Sequence, residues 1–292
     1  MGSTESTTAA ETFTMKMDDG YETHCRCWGG FEGEDVILML HGGMSHSAWQ
    51  APLAEAVQAV SDISFVASDR RGCGLNRRQR GDLTSAGQVI GDVHDQVRYL
   101  KNRFTRVHLA GWCQGAQYAS VAASQPPSAD AIASLVLITP GFFWSERFAS
   151  VLQVAQKIIL SMLTDFRLSP APEHAFVTVP LLAADFTPVP HWQQYIDGDE
   201  LRTEQVTMNA SFVMSQLKED SVQAILEVPA PIFAAFALKD KIVDVESGQR
   251  HIGEKISADP RNRMIAFDTG HAIHFEQPHA LAQAIRTFIR TL

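Results

Sequence analysis

Residues 107–116 read Val107-His108-Leu109-Ala110-Gly111-Trp112-Cys113-Gln114-Gly115-Ala116, and the rest of the chain can be interpreted outward from them. The run to Trp112 is apolar with β-branched and aromatic residues, which is typical of a buried strand. The residues from Gln114 to Ala123 are rich in alanine without proline and predict a helix. Gly111 and Gly115 flank the junction, so the backbone can turn sharply between strand and helix. The pattern places Cys113 at the tip of a sheet.

This Gly-x-Cys-x-Gly turn has two interpretations. It can be a tight strand-to-helix turn whose Cys113 is only a small buried hydrophobic residue. It is also the pattern of a nucleophile elbow, with cysteine where serine usually stands. In an elbow the central residue has a strained backbone conformation that exposes its side chain to a substrate. The choice depends on whether an acid, a base and an oxyanion-binding loop follow other strands in the expected order.

Length and composition bound the class of protein. With 292 residues, 45% of them hydrophobic, the chain can bury one large core, or one core with a lid. The net charge is −9, and the densest basic run, Arg77 to Arg80, lies near Asp69 and Asp82. We therefore interpret that run as a solvated loop and expect no nucleic-acid partner.

The sequence also bears on location and cofactors. It contains no apolar run long enough to span a membrane and no signal-peptide pattern. The cysteines form no Cys-x-x-Cys pair, which favours a reduced, cytoplasmic protein. His271 and His274 have a His-x-x-His spacing, but without a nearby carboxylate ligand set we interpret His274 as structural. We expect neither a metal nor another cofactor. The four cysteines are Cys25, Cys27, Cys73 and Cys113.

Strands alternate with helices along most of the chain, which predicts an α/β fold with a mostly parallel sheet covered on both faces. Residues 1–11 are rich in Ser, Thr and Glu and predict a disordered tail. Asp18-Asp19-Gly20 predicts a hairpin turn. The other predicted strands are Phe13–Met17, Tyr21–Trp28, Asp35–Leu40, Ser64–Ser68, Ala133–Thr139, Pro231–Ala237 and Met264–Phe267. The other predicted helices are Ser47–Val60, Thr84–Phe104 (capped by Thr84), Glu246–Ile256 and Glu276–Leu292.

The alternation stops between 141 and 226. This stretch has helical segments at Phe148–Leu163 and Thr203–Leu217, a proline-rich middle and no clear buried strand. An insertion of this size in an α/β unit predicts a helical cap over the sheet. The domain organisation is then an α/β core at 12–140 and 227–292 with a cap at 141–226.

Two further polar residues follow predicted strands. Asp240 comes after Pro231–Ala237, and His271 comes after Met264–Phe267. Ligands of α/β sheets bind at the carboxyl ends of the strands, where the turn also places Cys113. Asp240 alone could be a turn residue. The order nucleophile, acid, base favours the functional interpretation, with Asp244 as a conceivable substitute acid.

These pieces resemble the α/β-hydrolase superfamily from Phe13 to Leu292. The cap from Phe186-Thr187 to Asp199-Glu200-Leu201-Arg202 is similar to the monoacylglycerol lipase/lysophospholipase-like group, in which the nucleophile is serine. The presence of cysteine at the nucleophile position resembles the arrangement in dienelactone hydrolases and polyhydroxyalkanoate synthases. The matching motifs are His41-Gly42-Gly43, Asp69-x-Arg71-Gly72-x-Gly74, Gly111-x-Cys113-x-Gly115, Asp240-x-x-Val243 and Gly270-His271.

The chemistry follows from these groups. Cys113 would attack as a thiolate, and its place at a helix N-terminus favours that form. His271 would accept and return the proton. Asp240 would hold the imidazole in one tautomer and stabilise its charged form. The backbone amides expected to bind the oxyanion are those of Gly43, Gln114 and Met44.

The sequence thus predicts acyl transfer through an acyl-cysteine intermediate, from an ester or thioester with an apolar acyl group, free or carrier-bound. Water or a small nucleophile would be the acceptor. A set of aromatic residues has two interpretations, the lining of an acyl pocket or the core of the cap, and the sequence does not separate them. They are Trp112, Phe142, Phe143, Trp144, Phe148 and Trp192.

Three alternatives stay open from the sequence. The same triad serves lactone and carbon–carbon bond hydrolases. A non-catalytic ligand-binding protein could retain the triad as a pocket lining. Cys113 could also be an engineered replacement of a native serine.

Overall fold

The computed structural model describes residues 10–154 and 174–292. One central sheet of eight strands runs in the order β1-β2-β4-β3-β5-β6-β9-β10. Its strands are β1 (Glu11–Lys16), β2 (Glu22–Trp28), β3 (Gly33–Leu40), β4 (Ser64–Ser68), β5 (Phe104–Trp112), β6 (Ile132–Ile138), β9 (Ile232–Ala237) and β10 (Arg263–Phe267). Two short strands, β7 (Phe176–Thr178) and β8 (Gln205–Thr207), pair with each other outside this sheet.

Only β2 runs against its neighbours in the central sheet, and every other pairing is parallel. The strands β3, β4, β5, β6 and β9 therefore end at one edge. This arrangement confirms the predicted α/β-hydrolase fold.

Helices cover both faces of the sheet. One hydrophobic cluster packs α2, α3, α8 and α9 on one face, and a second packs α1, α10 and α11 on the other. The helices are α1 (Ala51–Val60), α2 (Ala86–Lys101), α3 (Gln114–Ala123), α4 (Ser128–Ala131), α5 (146–154), α6 (Ala183–Phe186), α7 (Pro190–Asp197), α8 (Met208–Glu227), α9 (Val245–Ala258), α10 (Ile273–Glu276) and α11 (Pro278–Ile289), with a 3₁₀ helix at Ser47–Gln50.

The strand β3 shows why the central sequence runs are apolar without alternation. Val36, Leu38 and Leu40 belong to the first hydrophobic cluster. Ile37 and Met39 belong to the second. Successive side chains of a strand point to opposite faces, and here each face is covered by helices. A strand buried on both sides therefore needs hydrophobic residues at every position.

The predicted start of one strand and the predicted cap of one helix, both in the N-terminal half of the chain, were wrong by one or two residues. The first strand begins at Glu11, within the predicted tail, because it pairs with β2 over its whole length. The remainder of that tail, 1–9, lies outside the described residues. The helix α2 is capped by Ser85 rather than Thr84, since the Ser85 hydroxyl accepts the backbone N–H of Gln88 at 3.1 Å.

The helix predicted at Thr203–Leu217 begins five residues later than expected. Gln205–Thr207 pairs with Phe176–Thr178 as a strand, and the Thr207 hydroxyl then caps α8 by accepting the Ala210 N–H at 3.0 Å. Strands of three residues are too short to show a hydrophobic period, which is why none was predicted between 141 and 226. Of the helix predicted at Phe148–Leu163, residues 155–163 lie outside the described residues.

The helix α8 packs beside α3 in the first hydrophobic cluster, through residues such as Ala210, Leu217 and Ile225. It therefore lies in the layer that covers the sheet, although its sequence falls within the predicted cap. In the ranges 10–154 and 174–292, no helix is both long and apolar enough to cross a membrane.

Candidate active site

Cys113 occupies a strained turn between β5 and α3. Its backbone angles are φ 55° and ψ −113°, which an L-residue rarely adopts. The two flanking glycines make the turn possible: a Cβ on Gly111 would overlap the carbonyl oxygen of Gly115, and one on Gly115 would overlap that of Leu40. The Cys113 N–H is held by the Ile138 carbonyl at 2.9 Å. The geometry is that of a nucleophile elbow.

Asp240 and His271 form a buried pair. Asp240 Oδ2 lies 2.7 Å from His271 Nδ1, and both side chains are fully buried. The other oxygen, Oδ1, accepts the backbone N–H groups of Ile242 at 2.8 Å and Val243 at 2.9 Å. These bonds fix the carboxylate so that it faces the imidazole.

The electrostatics of His271 favour its charged form. Burial lowers its pKa, but the Asp240 carboxylate and then the negative charge of Cys113 outweigh that effect and raise the pKa of His271 to about 10. Nε2 of His271 makes no short hydrogen bond in the described part of the chain, and the nearby Cys113 side chain is among the groups that raise the pKa of the ring. The ring therefore pairs one nitrogen with Asp240, while the other has no second protein partner that would compete for its proton.

The alternative acid, Asp244, is engaged elsewhere. Its carboxylate accepts the Ser247 N–H at 3.0 Å and the Ser247 hydroxyl at 2.7 Å, which caps the N-terminus of α9. These hydrogen bonds lower the pKa of the Asp244 carboxyl, and the bond from the Ser247 backbone N–H has the largest effect. Of the two carboxylates, only Asp240 is paired with His271.

The loop after β3 borders Cys113. A Cβ built on Gly42 would lie 3.4 Å from Cys113 Cβ, and one built on Gly43 would lie 3.6 Å from Gln114 Oε1. His41 orders the start of this loop: its Nδ1 donates to the Gly42 carbonyl at 2.8 Å, while its Nε2 accepts the Arg70 N–H at 3.0 Å. The loop and the first turn of α3 thus meet beside the cysteine.

Met44, the third residue predicted to supply an oxyanion donor, is buried in the same loop. Its carbonyl accepts the Thr203 N–H at 2.8 Å, which ties the loop to the segment before β8. Gly43, Met44 and Gln114 are therefore brought together near Cys113, and their roles as donors stay a prediction.

Of the predicted aromatic residues, Trp112 lies nearest to His271. Its ring centroid is 5.4 Å from that of His271, and its indole N–H donates to the His271 carbonyl at 3.3 Å. Trp112 is fully buried behind the elbow and contacts the oxyanion loop, since a Cβ on Gly42 would lie 3.1 Å from its ring. It supports the site from within the core.

The other aromatic residues divide between the two faces of the sheet. Phe142 and Phe143 pack into the first hydrophobic cluster and approach His251 of α9, so the structure does not bring them to Cys113. Trp144 packs against the second cluster, edge-on to Phe148 at 5.2 Å.

Trp192 reaches the site only through other rings. It stacks on Phe275 with centroids 4.5 Å apart, and Phe275 in turn lies 5.7 Å from Trp49. Trp49 contacts Trp112 at 6.1 Å. Trp192 is thus part of an aromatic stack that ends at Trp112.

Sequence reasoning missed Phe186, whose ring lies 5.9 Å from both the His271 and the Trp112 rings. The Phe186 carbonyl also accepts the Ala272 N–H at 2.8 Å, so a short helix of the predicted cap touches the histidine loop directly. Phe186 stands in a segment without periodicity, and no sequence feature distinguishes it from the other aromatic residues there.

His274 packs against aromatic rings, and neither of its ring nitrogens has a hydrogen-bond partner in the described part of the chain. It is fully buried, and its ring lies 4.3 Å from that of Trp112. Burial, with a smaller contribution from the positive charge of His271, lowers the pKa of His274 to about 3, so its ring stays neutral. Within the described ranges, no group of three or more His, Cys, Asp and Glu side chains could hold a metal ion.

A Ser–His–Asp arrangement that is separate from the Cys113 site lies inside the sheet. His108 Nδ1 is 2.7 Å from the Ser134 hydroxyl, and His108 Nε2 is 2.9 Å from Asp35 Oδ1. Ser134 and His108 are fully buried within β6 and β5, away from the strand ends. Because the Ser134 and His108 side chains have no exposed surface, we interpret this network as a structural link between β3, β5 and β6.

The comparisons with known proteins agree with the α/β-hydrolase fold. The family model described as serine aminopeptidase, S33 (Hydrolase_4) matches residues 32–278. A search of curated protein sequences finds no match.

Solved structures share the fold at low sequence identity. A soluble variant of monoglyceride lipase from Saccharomyces cerevisiae, in complex with a substrate analog, has a TM-score of 0.75 at 16% identity over 97% of each chain. The monoacylglycerol lipase of Paleococcus ferrophilus has a TM-score of 0.72 at 17% identity, over 91% of this chain and 99% of that one. The thioesterase domain from the curacin biosynthetic pathway has a TM-score of 0.64 at 17% identity, over 95% and 99%. Since the family model spans the elbow and both strand ends that carry Asp240 and His271, the chain belongs to the serine aminopeptidase S33 family of α/β hydrolases.

Proposed function

We propose that this chain is an acyl-transfer enzyme that uses Cys113, His271 and Asp240 and forms an acyl-cysteine intermediate. The observation that carries the proposal is the buried Asp240–His271 pair at 2.7 Å, with the strained Cys113 near enough to His271 to raise the pKa of its ring. A cysteine that served only as a hydrophobic residue would need neither this strain nor a charged imidazole beside it.

The first half of the reaction forms the intermediate. His271 takes the proton of Cys113, and the raised pKa of His271 keeps that proton on the ring. The thiolate attacks the acyl carbon of the donor, and the resulting oxyanion is bound by backbone amides, for which we propose Gly43 and Gln114 with Met44 adjacent. The bond from the acyl carbon to the leaving oxygen or sulfur breaks, and Nε2 returns its proton to that leaving atom.

The second half releases the acyl group. Water, or a small alcohol, amine or thiol, gives a proton to Nε2 and attacks the acyl-cysteine carbonyl. The carbon–sulfur bond breaks and the Cys113 thiolate is restored beside the imidazolium. Asp240 keeps Nδ1 protonated throughout, so Nε2 remains the nitrogen that exchanges the proton.

The donor we propose is an ester or thioester with an apolar acyl group. Thiol exchange with a thioester replaces one carbon–sulfur bond by another, so a cysteine can be acylated without a large change in bond energy. The solved structures of similar fold include two monoacylglycerol or monoglyceride lipases and a thioesterase domain, which matches this donor class. The buried rings of Trp112 and Phe186 beside His271 provide apolar surroundings for the reacting carbonyl.

We propose that the segment from α6 to β8 acts as the cap over this site. Asp199, just after α7, accepts the Trp49 indole N–H at 2.6 Å and lies 2.8 Å from His46 Nε2. Arg80 donates to the carbonyl of Leu201 at 2.6 Å. The bonds of Asp199 hold the segment on the loop after β3, which carries Gly43 and Met44, and the bond of Arg80 holds it on the loop after β4.

Intact-mass spectrometry with two activated donors, p-nitrophenyl butyrate and a butyryl thioester of N-acetylcysteamine, tests the proposal. We expect an acyl adduct on Cys113 in the parent chain and none in Cys113→Ala. Cys73→Ala is the matched control, since it removes another buried cysteine and should keep the adduct. His271→Ala should acylate slowly and then retain the adduct, because deacylation also needs the base.

Two outcomes contradict the proposal. Absence of an adduct together with unchanged turnover in Cys113→Ala would remove the covalent mechanism. Turnover of a lactone or a β-diketone without any turnover of the acyl esters or thioesters would replace it by a hydrolase of those substrates.

A further inference from the structure

Arg70 is the residue before the motif arginine Arg71, and its side chain is committed to the oxyanion loop. One terminal nitrogen donates to Gln114 Oε1 at 2.8 Å and to the Tyr118 hydroxyl at 3.2 Å. The other donates to the carbonyls of Gly42 at 2.7 Å and Gly43 at 3.2 Å.

These contacts use all four terminal N–H groups of the guanidinium. The remaining N–H, at Nε, is buried and has no partner in the described part of the chain. The terminal N–H groups of Arg70 are therefore committed to neutral protein oxygens rather than left for a carboxylate or phosphate on the substrate. Its neighbour Arg71 differs, because it pairs with the carboxylates of Asp92 and Asp19 away from the loop. Arg70 instead donates its hydrogen bonds to neutral oxygens around the candidate site.

The bond to the Gly42 carbonyl has a consequence for the next amide. That carbonyl also accepts from His41 Nδ1 at 2.8 Å and from the Ser45 hydroxyl at 3.3 Å, so three donors hold it. A trans peptide is planar, with its N–H opposite its C=O. Fixing the Gly42 carbonyl therefore fixes the direction of the Gly43 N–H, which points to the side away from Arg70.

Arg70 also joins the two parts of the proposed oxyanion hole. The Gly42–Gly43 peptide borders Cys113, and Gln114 follows Cys113 directly at the start of α3. Arg70 bonds at once to the Gly42 and Gly43 carbonyls and to the side-chain oxygen of Gln114, so a shift of the loop against the start of α3 breaks a charge-assisted hydrogen bond. A guanidinium on a carbonyl also polarises that peptide and strengthens its N–H as a donor.

We propose that Arg70 is a positioning residue that holds and polarises the oxyanion hole formed by Gly43 and Gln114. The inference rests on the proposed acyl-transfer function. It assigns to Arg70 no contact with the substrate: its effect is to aim backbone donors at the oxygen that becomes negative in the tetrahedral intermediate. Loss of one such donor costs about 100- to 1000-fold in rate.

The experiment compares two reactions of Cys113 in Arg70→Met. Acylation by p-nitrophenyl butyrate develops an oxyanion, whereas alkylation by iodoacetamide displaces iodide at a saturated carbon and develops none. Both need the thiolate, and both are followed by intact-mass spectrometry. We expect acylation of Arg70→Met to fall by about 100-fold and alkylation to change by less than about 3-fold. Arg70→Lys should lose about 10-fold in acylation, because one ammonium cannot reach all four acceptors.

Arg103→Met is the matched control, since Arg103 also lies over a tyrosine ring, that of Tyr99, but on the surface after α2. It should leave both reactions unchanged. If Arg70→Met does not fold, Arg70→Lys carries the comparison.

The possible outcomes distinguish the proposed role of Arg70 from the proposed acyl-transfer function. Equal acylation of Arg70→Met and the parent overturns the role of Arg70 and leaves the proposed function intact. A parallel loss of acylation and alkylation also overturns it, because Arg70 would then act on the thiolate or on the fold. A parent chain that is alkylated but never acylated overturns the proposed function and this inference together.

Discussion

Asp240→Asn is the substitution whose consequence the structure defines most sharply. The new side chain has the same shape, and its oxygen must choose between two sets of partners. At the Oδ1 position it would accept the N–H groups of Ile242 and Val243, as the carboxylate does at 2.8 and 2.9 Å. Its NH₂ group would then face His271 Nδ1 and donate to it. The proton of the neutral ring would be forced onto Nε2, which could no longer accept one from Cys113.

The magnitude follows from those two bonds. The reversed amide, which would keep the productive tautomer of His271, loses both hydrogen bonds and turns its NH₂ towards two N–H donors. At about 1–1.5 kcal/mol for each bond, the reversal costs roughly 2–3 kcal/mol, or about 30- to 150-fold in population. The lost negative charge of Asp240 also destabilises the imidazolium. We therefore expect acylation of Cys113 to fall by about 100- to 1000-fold, less than the roughly 10⁴-fold loss in a serine protease, because a thiol needs less help from a base.

The assay is the rate of p-nitrophenol release in the first turnover, measured against pH for the parent, Asp240→Asn and Asp244→Asn. Asp244→Asn is the matched control because asparagine caps a helix as well as aspartate does. It should retain full activity. Unfolding midpoints in urea should agree among the three chains, so that a loss of rate reports on the site.

A large loss in Asp244→Asn with little in Asp240→Asn would refute the assignment of the acid. A loss below about 5-fold in Asp240→Asn would refute the tautomer argument, since the bonds to Ile242 and Val243 would then not control the orientation of the amide.

Three further predictions concern the elbow and the charge of the site. Gly115→Ala should destabilise the fold by about 2–4 kcal/mol in urea unfolding, because its Cβ would overlap the Leu40 carbonyl oxygen; an unchanged midpoint would contradict the required close approach. Cys113→Ser should lower turnover of a thioester at least about 10-fold, since a hydroxyl is a weaker acid than a thiol; higher turnover would show that cysteine is not the native nucleophile. The pKa of His271 is raised from 6.5 to about 10, so its contribution to stability is complete below pH 6.5 and is lost as the pH rises through about 10. The unfolding free energy should therefore fall over that range in the parent and much less in Asp240→Asn.

The local chemistry of the elbow could be predicted from the sequence because it depends on neighbours along the chain. Gly111, Cys113 and Gly115 define a turn that only glycine flanks allow, and the helix predicted at Gln114–Ala123 has the same bounds in the structure. The apolar runs before Asp240 and His271 predicted strands for the same local reason. Parallel strands then imply a common edge, so the three candidate residues were expected to meet.

The choice of carboxylate and of aromatic residues depended on the tertiary structure. Asp240 and Asp244 are four residues apart, and only the positions of His271 and of α9 show that one pairs with the imidazole while the other caps a helix. Phe142 and Phe186 are equally apolar in sequence. The sheet places Phe142 on the opposite face from the site, whereas the backbone path before α7 brings Phe186 onto His271.

Arg70 shows most clearly which contacts could not be predicted from the sequence. From the sequence it is one of several arginines beside a glycine-rich loop, and its charge suggests a surface residue. Its four partners come from β3's loop and from α3, 27 to 48 residues away. Periodicity and turn chemistry determine secondary structure because they act between neighbouring residues. Contacts across such separations arise only when the strands assemble, and they decided which polar groups surround Cys113.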